Sequence, residues 1–384
     1  MQRSTDRILT THVGSLPRPA DVSDMLFARE SGAAVDPAAF ERAVAAAVID
    51  VVARQRAAGV DIPSDGEMSK ISYATYISER LTGFEGDSPR RVPADLAAIP
   101  NYAQKLAGSG GTPTYKRPRC TGPIEVRSLA PLETDIRHFQ SALDAAGYRE
   151  GFMNAAAPGV IALFQPNEHY PTEDAYLAAL AKAMAVEFRR IVEAGLVLQV
   201  DSPDLALGRQ TMYSHLDEDG FVRAIGAHVA ALNAALAGLP RDRVRLHLCW
   251  GNYEGPHTLD VPLARLLPTV LGVQAGALSF EGANPRHAHE WAVFREIALP
   301  EEWIIIPGML DSSTNYVEHP DLIAERIGRY ADIVGRERVI AGSDCGFSTF
   351  AGYGVVHPEI VWMKLASLAE GARRASARLW RQAA

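Results

Sequence analysis

Midway along the 384-residue chain, the apolar run VRLHLC ends in His247-Leu248-Cys249. Residues i and i+2 of a strand face the same side, so the imidazole and the thiol leave that strand together. One nitrogen and one sulfur donor on a single face suit Zn²⁺, which prefers tetrahedral N/S coordination. Two further donors close other apolar runs: Glu281 ends LSFE and Cys345 ends VIAGSDC. His247, Cys249, Glu281 and Cys345 therefore make a candidate zinc ligand set drawn from three strand ends. An isolated HxC reads first as a buried His beside a buried Cys; the added carboxylate and second thiol are what favour a metal. Structural zinc sites use close-spaced loops, whereas ligands scattered over strand ends fit a catalytic ion. Zinc held by two thiolates activates water poorly but binds a further thiol well. Coordination deprotonates a thiol whose free pKa is about 8.5, and the thiolate is the nucleophile. Glu281 is then the ligand expected to yield to substrate sulfur.

Elements must bring these strand ends together. Short β-type runs alternate with longer helical patterns, the signature of βα units on a parallel sheet. The clearest strands fall at 196–200, 244–249, 277–280, 303–307 and 339–341, with earlier ones at 11–14, 60–64 and 151–157. Helical patterns cover 40–58 (stopping at Gly59), 173–194, 220–237, 259–271, 320–334 and 357–374. These eight strands make an α/β chain, a (β/α)8 TIM barrel. A ninth run, 119–126, is surplus and is expected as a hairpin arm outside it. It belongs to an irregular insertion spanning about 83–127 in a single domain covering 1–384. Enzymes of this architecture keep their sites at the C-terminal strand ends. Collected there are His12 and Ser15, Asp65 and Glu67, Asp201 and Asp204, Asp311 and Asp344, beside the four metal candidates. In the insertion, Lys116, Arg117 and Arg119 read as solvated loop charges; neutralising an anionic donor or acceptor tail is the alternative.

Composition narrows the class. Hydrophobic residues make 47% and charged residues 22% of the chain, as in a globular protein, and the net charge of −8 argues against nucleic acid as a partner. No apolar run approaches the ~20 residues that span a bilayer, and the N-terminus lacks the apolar core of a secretory signal. A cytoplasmic protein without membrane partners is expected. Three cysteines, Cys120, Cys249 and Cys345, are too few for a disulfide framework. Outer barrel helices often pair, so a homo-oligomer is compatible with this reading.

In order along the chain, TTHVGSLPRP, SDGE, QVDSPD, HLC, SFEGAN and GSDCG resemble the catalytic domain of the cobalamin-independent methionine synthase superfamily, over about residues 7–370. The chain is most similar to the short, single-barrel members, which include the epoxyalkane:coenzyme M transferases. The resemblance implies a TIM barrel with Zn²⁺ at its C-terminal face on His247, Cys249, Glu281 and Cys345. It implies a substrate grip by Ser15, Glu67 and Asp201, with His12 beside them. Ser15 offers a donor to an acid group, and Glu67 and Asp201, the catalytic candidates, suit an ammonium. The chain lacks the front barrel of the full-length enzymes and their folate-stacking Trp; Phe164 is the nearest aromatic. The family's D-E-P-A reads Asp201-Ser202-Pro203-Asp204, and its acid-catalytic His falls on Ser313, with His319 the nearby substitute.

The expected function is zinc-dependent S-methyl transfer to homocysteine or a related thiol. The alternative is alkyl transfer to coenzyme M or another thiol from an epoxide. A thiol- or metal-binding module without turnover is the reading from outside the enzymes. A small-molecule thiol and a methyl or alkyl donor are the partners in either transferase reading.

Overall fold

The computed structural model describes residues 1–106 and 115–380. Residues 107–114, part of the insertion expected at 83–127, lie outside the described residues. In chain order the strands are β1 (Leu9–Thr10), β2 (Phe84–Glu85), β3 (Arg119–Cys120), β4 (Phe152–Ala156), β5 (Val197–Asp201), β6 (Val244–His247), β7 (Ala277–Phe280), β8 (Ile304–Leu310) and β9 (Ile340–Ser343). Seven of them form one parallel sheet in the order β1-β9-β8-β7-β6-β5-β4.

Segment 60–64 bridges the two edges of that sheet. The N–H groups of Asp61 and Ile62 both donate to Thr10 O (3.1 and 3.0 Å), and Phe152 N–H donates to Pro63 O at 2.9 Å. Thr11 Oγ1 adds a bond to Ile62 O at 2.9 Å. This is the eighth stave of the TIM barrel. It forms no regular ladder because Pro63 has no N–H to give.

Alternation along the strands sorts side chains inward and outward. Leu9, Ile62, Phe152, Val197, Ile304 and Ile340 belong to one apolar cluster drawn from the strands and the stave. From β6 comes Arg245, fully buried, its guanidinium 3.4 Å from the centroid of the Phe152 ring. It donates to Gln199 Oε1 (2.6 Å), Thr11 Oγ1 (3.1 Å) and His12 O (2.5 Å). A much larger apolar cluster joins the helices to the outward strand residues, such as Leu198, Leu246 and Leu278.

The helices start and stop where local chemistry directs. Pro37–Ala58 opens with Asp36 accepting from Ala38 N–H and ends at Gly59, whose φ of 84° is left-handed. Thr172 and Asp217 cap Glu173–Glu193 and Glu218–Leu236 in the same way. The helix expected at 259–271 is shorter, Leu263–Val270, and begins only after Pro262. Ala130–Ala146 is a helix absent from the expected set, although Leu132, Ile136, Phe139 and Leu143 mark its buried face at helical spacing.

Outside the barrel, β2 and β3 pair antiparallel, with Phe84 opposite Cys120 and Glu85 opposite Arg119, as expected of a hairpin arm. Between these arms lie two short helices, Ala94–Ala97 and Pro100–Leu106, where only irregular chain is expected from the sequence. Among the described residues, no helix is long and apolar enough to cross a membrane.

Ile62 is 2% exposed and is what the eighth stave adds to the strand cluster. Ile62→Ala is expected to destabilise the fold by about 2–5 kcal/mol and Ile62→Val by about 0.5–1.5 kcal/mol, measured by urea unfolding. Equal midpoints for wild type and Ile62→Ala would show that the stave does not close the barrel.

Candidate functional site

His247 is the last residue of β6, and Cys249 follows after Leu248, whose N–H bonds Ser279 O at 2.8 Å. Cys345 lies two residues beyond β9. The three side chains are buried and their donor atoms all lie within 4.8 Å of one another. The two Sγ atoms are 3.7 Å apart and unbridged. The Nε2 of His247 is buried without a hydrogen-bond partner. Its Nδ1 faces Asp201 Oδ1 at 3.1 Å, which leaves Nε2 as the free donor.

This arrangement fits a metal ion. A tetrahedral centre with bonds of about 2.3 Å to sulfur sets two thiolates about 3.8 Å apart, close to the 3.7 Å observed. A buried imidazole nitrogen with no partner costs free energy unless a ligand satisfies it. The hydrogen bond from Cys249, helped by His247, lowers the Cys345 thiol to about 6, and Cys345 in turn pushes Cys249 up. Burial opposes charge on His247, but Asp201 and Cys345 outweigh it and raise the imidazole to about 10.

Asp201, the last residue of β5, joins several strands. Its Oδ1 accepts from Gln199 Nε2 at 2.8 Å and its Oδ2 from Asn154 Nδ2 at 2.9 Å, while Oδ1 also meets His247. Gln199 is held in turn by Arg245. Asn154, Gln199 and Arg245 were missed from sequence because they lie inside strands, not at their ends. A charged residue in the otherwise apolar run VRLHLC was the available signal for Arg245.

Glu67 has φ 59°, a conformation disfavoured for a residue with a side chain. Arg18 holds its carbonyl at 2.8 and 3.1 Å, and Asp65 Oδ1 accepts its N–H at 3.0 Å. The carboxyl is buried and Oε2 has no partner. Burial, only partly offset by Lys70, raises it to about 7. Ser15, Glu67, Asp201, His247, Cys249 and Cys345 all line one cavity of 530 Å³.

Other expected residues make contacts of their own. His12 does not line this cavity: Nε2 meets Gln55 Oε1 at 2.7 Å and Nδ1 accepts Gly14 N–H at 3.1 Å, so both ring nitrogens support the turn. Glu281 stands outside the three-donor group. Its Oε1 accepts Trp250 N–H at 2.8 Å, and its Oε2 accepts from Asn284 Nδ2 at 2.7 Å and Arg286 Nη2 at 2.5 Å. Asp344 accepts the N–H groups of Gly282, Ala283 and Asn284, each at 2.8 Å, tying the exit of β7 to that of β9. Asp204 pairs with His228 at 2.8 Å, away from the cavity. Ser313 bonds Asp311 at 2.7 Å. His319, with its side chain 71% exposed, caps the helix Pro320–Val334.

A family model described as the catalytic domain of cobalamin-independent synthase matches residues 8–96 and 152–365. Among similar proteins is a methionine synthase from Sulfurisphaera tokodaii, 25% identical over 366 residues, covering 95% of this chain and 91% of that protein. A methionine synthase from Saccharolobus solfataricus is 25% identical over 368 residues, covering 95% and 93%. The fold resembles a B12-independent methionine synthase from Shewanella sp. W3-18-1 solved with selenomethionine, at TM-score 0.76 and 17% identity, covering 98% of this chain and 100% of that one.

Asp201→Asn should weaken metal binding by about 10–100-fold, as loss of a partner that orients a ligating imidazole does elsewhere. Titration with Co²⁺ against a chelator, read by sulfur-to-metal absorption, measures this. An unchanged affinity would separate Asp201 from the metal.

Proposed function

Because the chain belongs to the family of cobalamin-independent synthase catalytic domains, we propose that it is a zinc-dependent methyltransferase that methylates homocysteine or a closely related aminothiol on sulfur. One observation carries this reading. A partnerless imidazole nitrogen and two sulfurs converge in the cavity that Ser15, Glu67 and Asp201 also line. The methionine synthases that the chain resembles support the same chemistry.

His247, Cys249 and Cys345 would hold the zinc, with Glu281 assigned as the fourth ligand when no thiol is present. Zinc bound there would supply a position at which a thiol is held as thiolate near neutral pH. The chain's own residues do the rest. Asp201 holds the His247 ring with Nε2 toward the sulfurs. Arg286, Asn284 and the Trp250 N–H anchor the Glu281 carboxylate beside them. Glu67 and Asp201 place two acidic groups where an ammonium binds, and Ser15 offers a hydroxyl to the carboxylate of an amino acid. The buried floor excludes water and fixes the sulfur for in-line attack, where positioning supplies much of the rate. The acidic pair favours an amine-bearing thiol over a sulfonate thiol such as coenzyme M.

Two outcomes are expected. Cys249→Ala and Cys345→Ala should each lose zinc and homocysteine-driven proton release while keeping a barrel circular-dichroism spectrum; full zinc occupancy in either sinks the ligand assignment. Secondly, a carboxyl raised to about 7 is mostly neutral below that pH and charged above it. An ammonium needs the charged form, so affinity should rise with pH through 7. Methionine, which carries the amine but no thiol proton, should therefore bind up to about tenfold more weakly per pH unit below 7, and Glu67→Gln should flatten the profile. A pH-independent wild type, read by calorimetry between pH 5.5 and 8, would remove Glu67 from the amine site.

A further inference from the structure

One side of the cavity remains unexplained by a thiol and a metal. It is built by the insertion. Of the three basic residues in its stretch 116–119, two behave as solvated charges: Lys116 is exposed, and Arg119 pairs at 3.4 Å with half-exposed Glu168. Arg117 does not. It is 7% exposed and lines the cavity.

Among the described residues no carboxylate pairs with the Arg117 guanidinium. Asp87 Oδ1 takes only its backbone N–H, at 2.8 Å. Its Nε reaches the Phe164 carbonyl at 3.3 Å, and its guanidinium carbon lies 5.0 Å from the Phe164 ring centroid. Among the described residues its guanidinium forms no ion pair. The near cations are Arg90 and Arg91, which also line the cavity. Burial pushes the guanidinium below its ordinary value, and these two push it further. A buried cation beside like charges is costly, and a bound anion would relieve it.

An apolar wall adjoins this cation. Tyr115 stacks on Phe350 with centroids 4.8 Å apart at 16°, and Tyr73 meets Phe164 edge-on at 5.5 Å. All four rings line the cavity. Tyr73 stands between this wall and the floor, near Arg117 on one side and Cys249, Cys345 and Asp201 on the other. Tyr115 and Arg117 also fall outside the segments that match the family model.

We propose that Arg117 is the anion-recognition residue of a second subsite, which takes the alkyl donor as an organic acid: an acidic group on an apolar body that packs among Tyr73, Tyr115, Phe164 and Phe350. This rests on the thiol occupying the side that carries Glu67 and Asp201, which repel a second anion toward Arg117. Transfer forms an S–C bond with a thiolate electron pair and breaks the bond between that carbon and the donor. The pair of the broken bond stays on the donor, which leaves as its anion or takes up the proton the thiol lost.

The test uses the full chain and two probes, 4-phenylbutyrate and the uncharged 4-phenylbutyramide, titrated by calorimetry. Wild type should prefer the acid by about tenfold or more. Arg117→Met should lose that preference, Arg117→Lys should keep part of it, and the surface control Arg119→Gln should keep all of it. Homocysteine-driven proton release, measured on the same preparations, should persist in Arg117→Met and in the presence of 4-phenylbutyrate. Equal affinity of wild type for acid and amide overturns the subsite without any variant. Retained preference in Arg117→Met, or displacement of homocysteine by 4-phenylbutyrate, overturns it as well. Absent proton release with the acid preference intact overturns the thiol reading and leaves the anion subsite standing.

Discussion

The Asp201 carboxylate is the joint on which the site depends. It closes β5 and receives Asn154 from β4, Gln199 from its own strand and His247 from β6. A parallel register that sets Asp201 opposite both Ala156 and His247 makes this possible. With one face of the imidazole fixed by Asp201, the other nitrogen points to the two sulfurs and finds no protein partner. The exits of β7 and β9 are tied separately by Asp344, which accepts three consecutive N–H groups after Glu281. The positions of Cys345 and Glu281 are thus coupled through the Asp344 carboxylate and the backbone N–H groups it accepts.

Holding polar groups in this way costs stability that the apolar layers must offset. Arg245 is fully buried among strand residues, and Glu67 keeps a left-handed backbone with a buried, partly unsatisfied carboxyl. Each is tolerated because neighbours over-determine it: three hydrogen bonds for Arg245, and Arg18 with Asp65 for Glu67. Concentration of strain and buried charge at one end of a barrel is a mark of function over stability.

The cavity combines two origins. Its floor comes from strand ends within the segments that the family shares, and part of its wall from the insertion, beyond residue 96, that the family model skips. Arg117 belongs to that skipped part, whereas Arg90 and Arg91, which also line the cavity, precede it.

How much of this was legible along the chain differs by residue. His247, Cys249 and Cys345 could be read because strand periodicity and donor type are local properties, and each ends an apolar run. Six sheet strands could be read for the same reason, whereas the first lies at Leu9–Thr10, just ahead of the expected 11–14. The eighth stave was legible as an extended segment, but Pro63 decided that it would close the barrel without a ladder. Tertiary structure alone decided what each polar side chain would spend its hydrogen bonds on. His12 was claimed by Gln55 and its own turn, Asp204 by His228, and Glu281 by Asn284 and Arg286. Arg117 and Arg119 are two residues apart in one basic stretch, yet one is buried in the cavity wall and the other pairs at the surface. Burial and partner choice depend on contacts between elements distant in the chain, which no local pattern encodes.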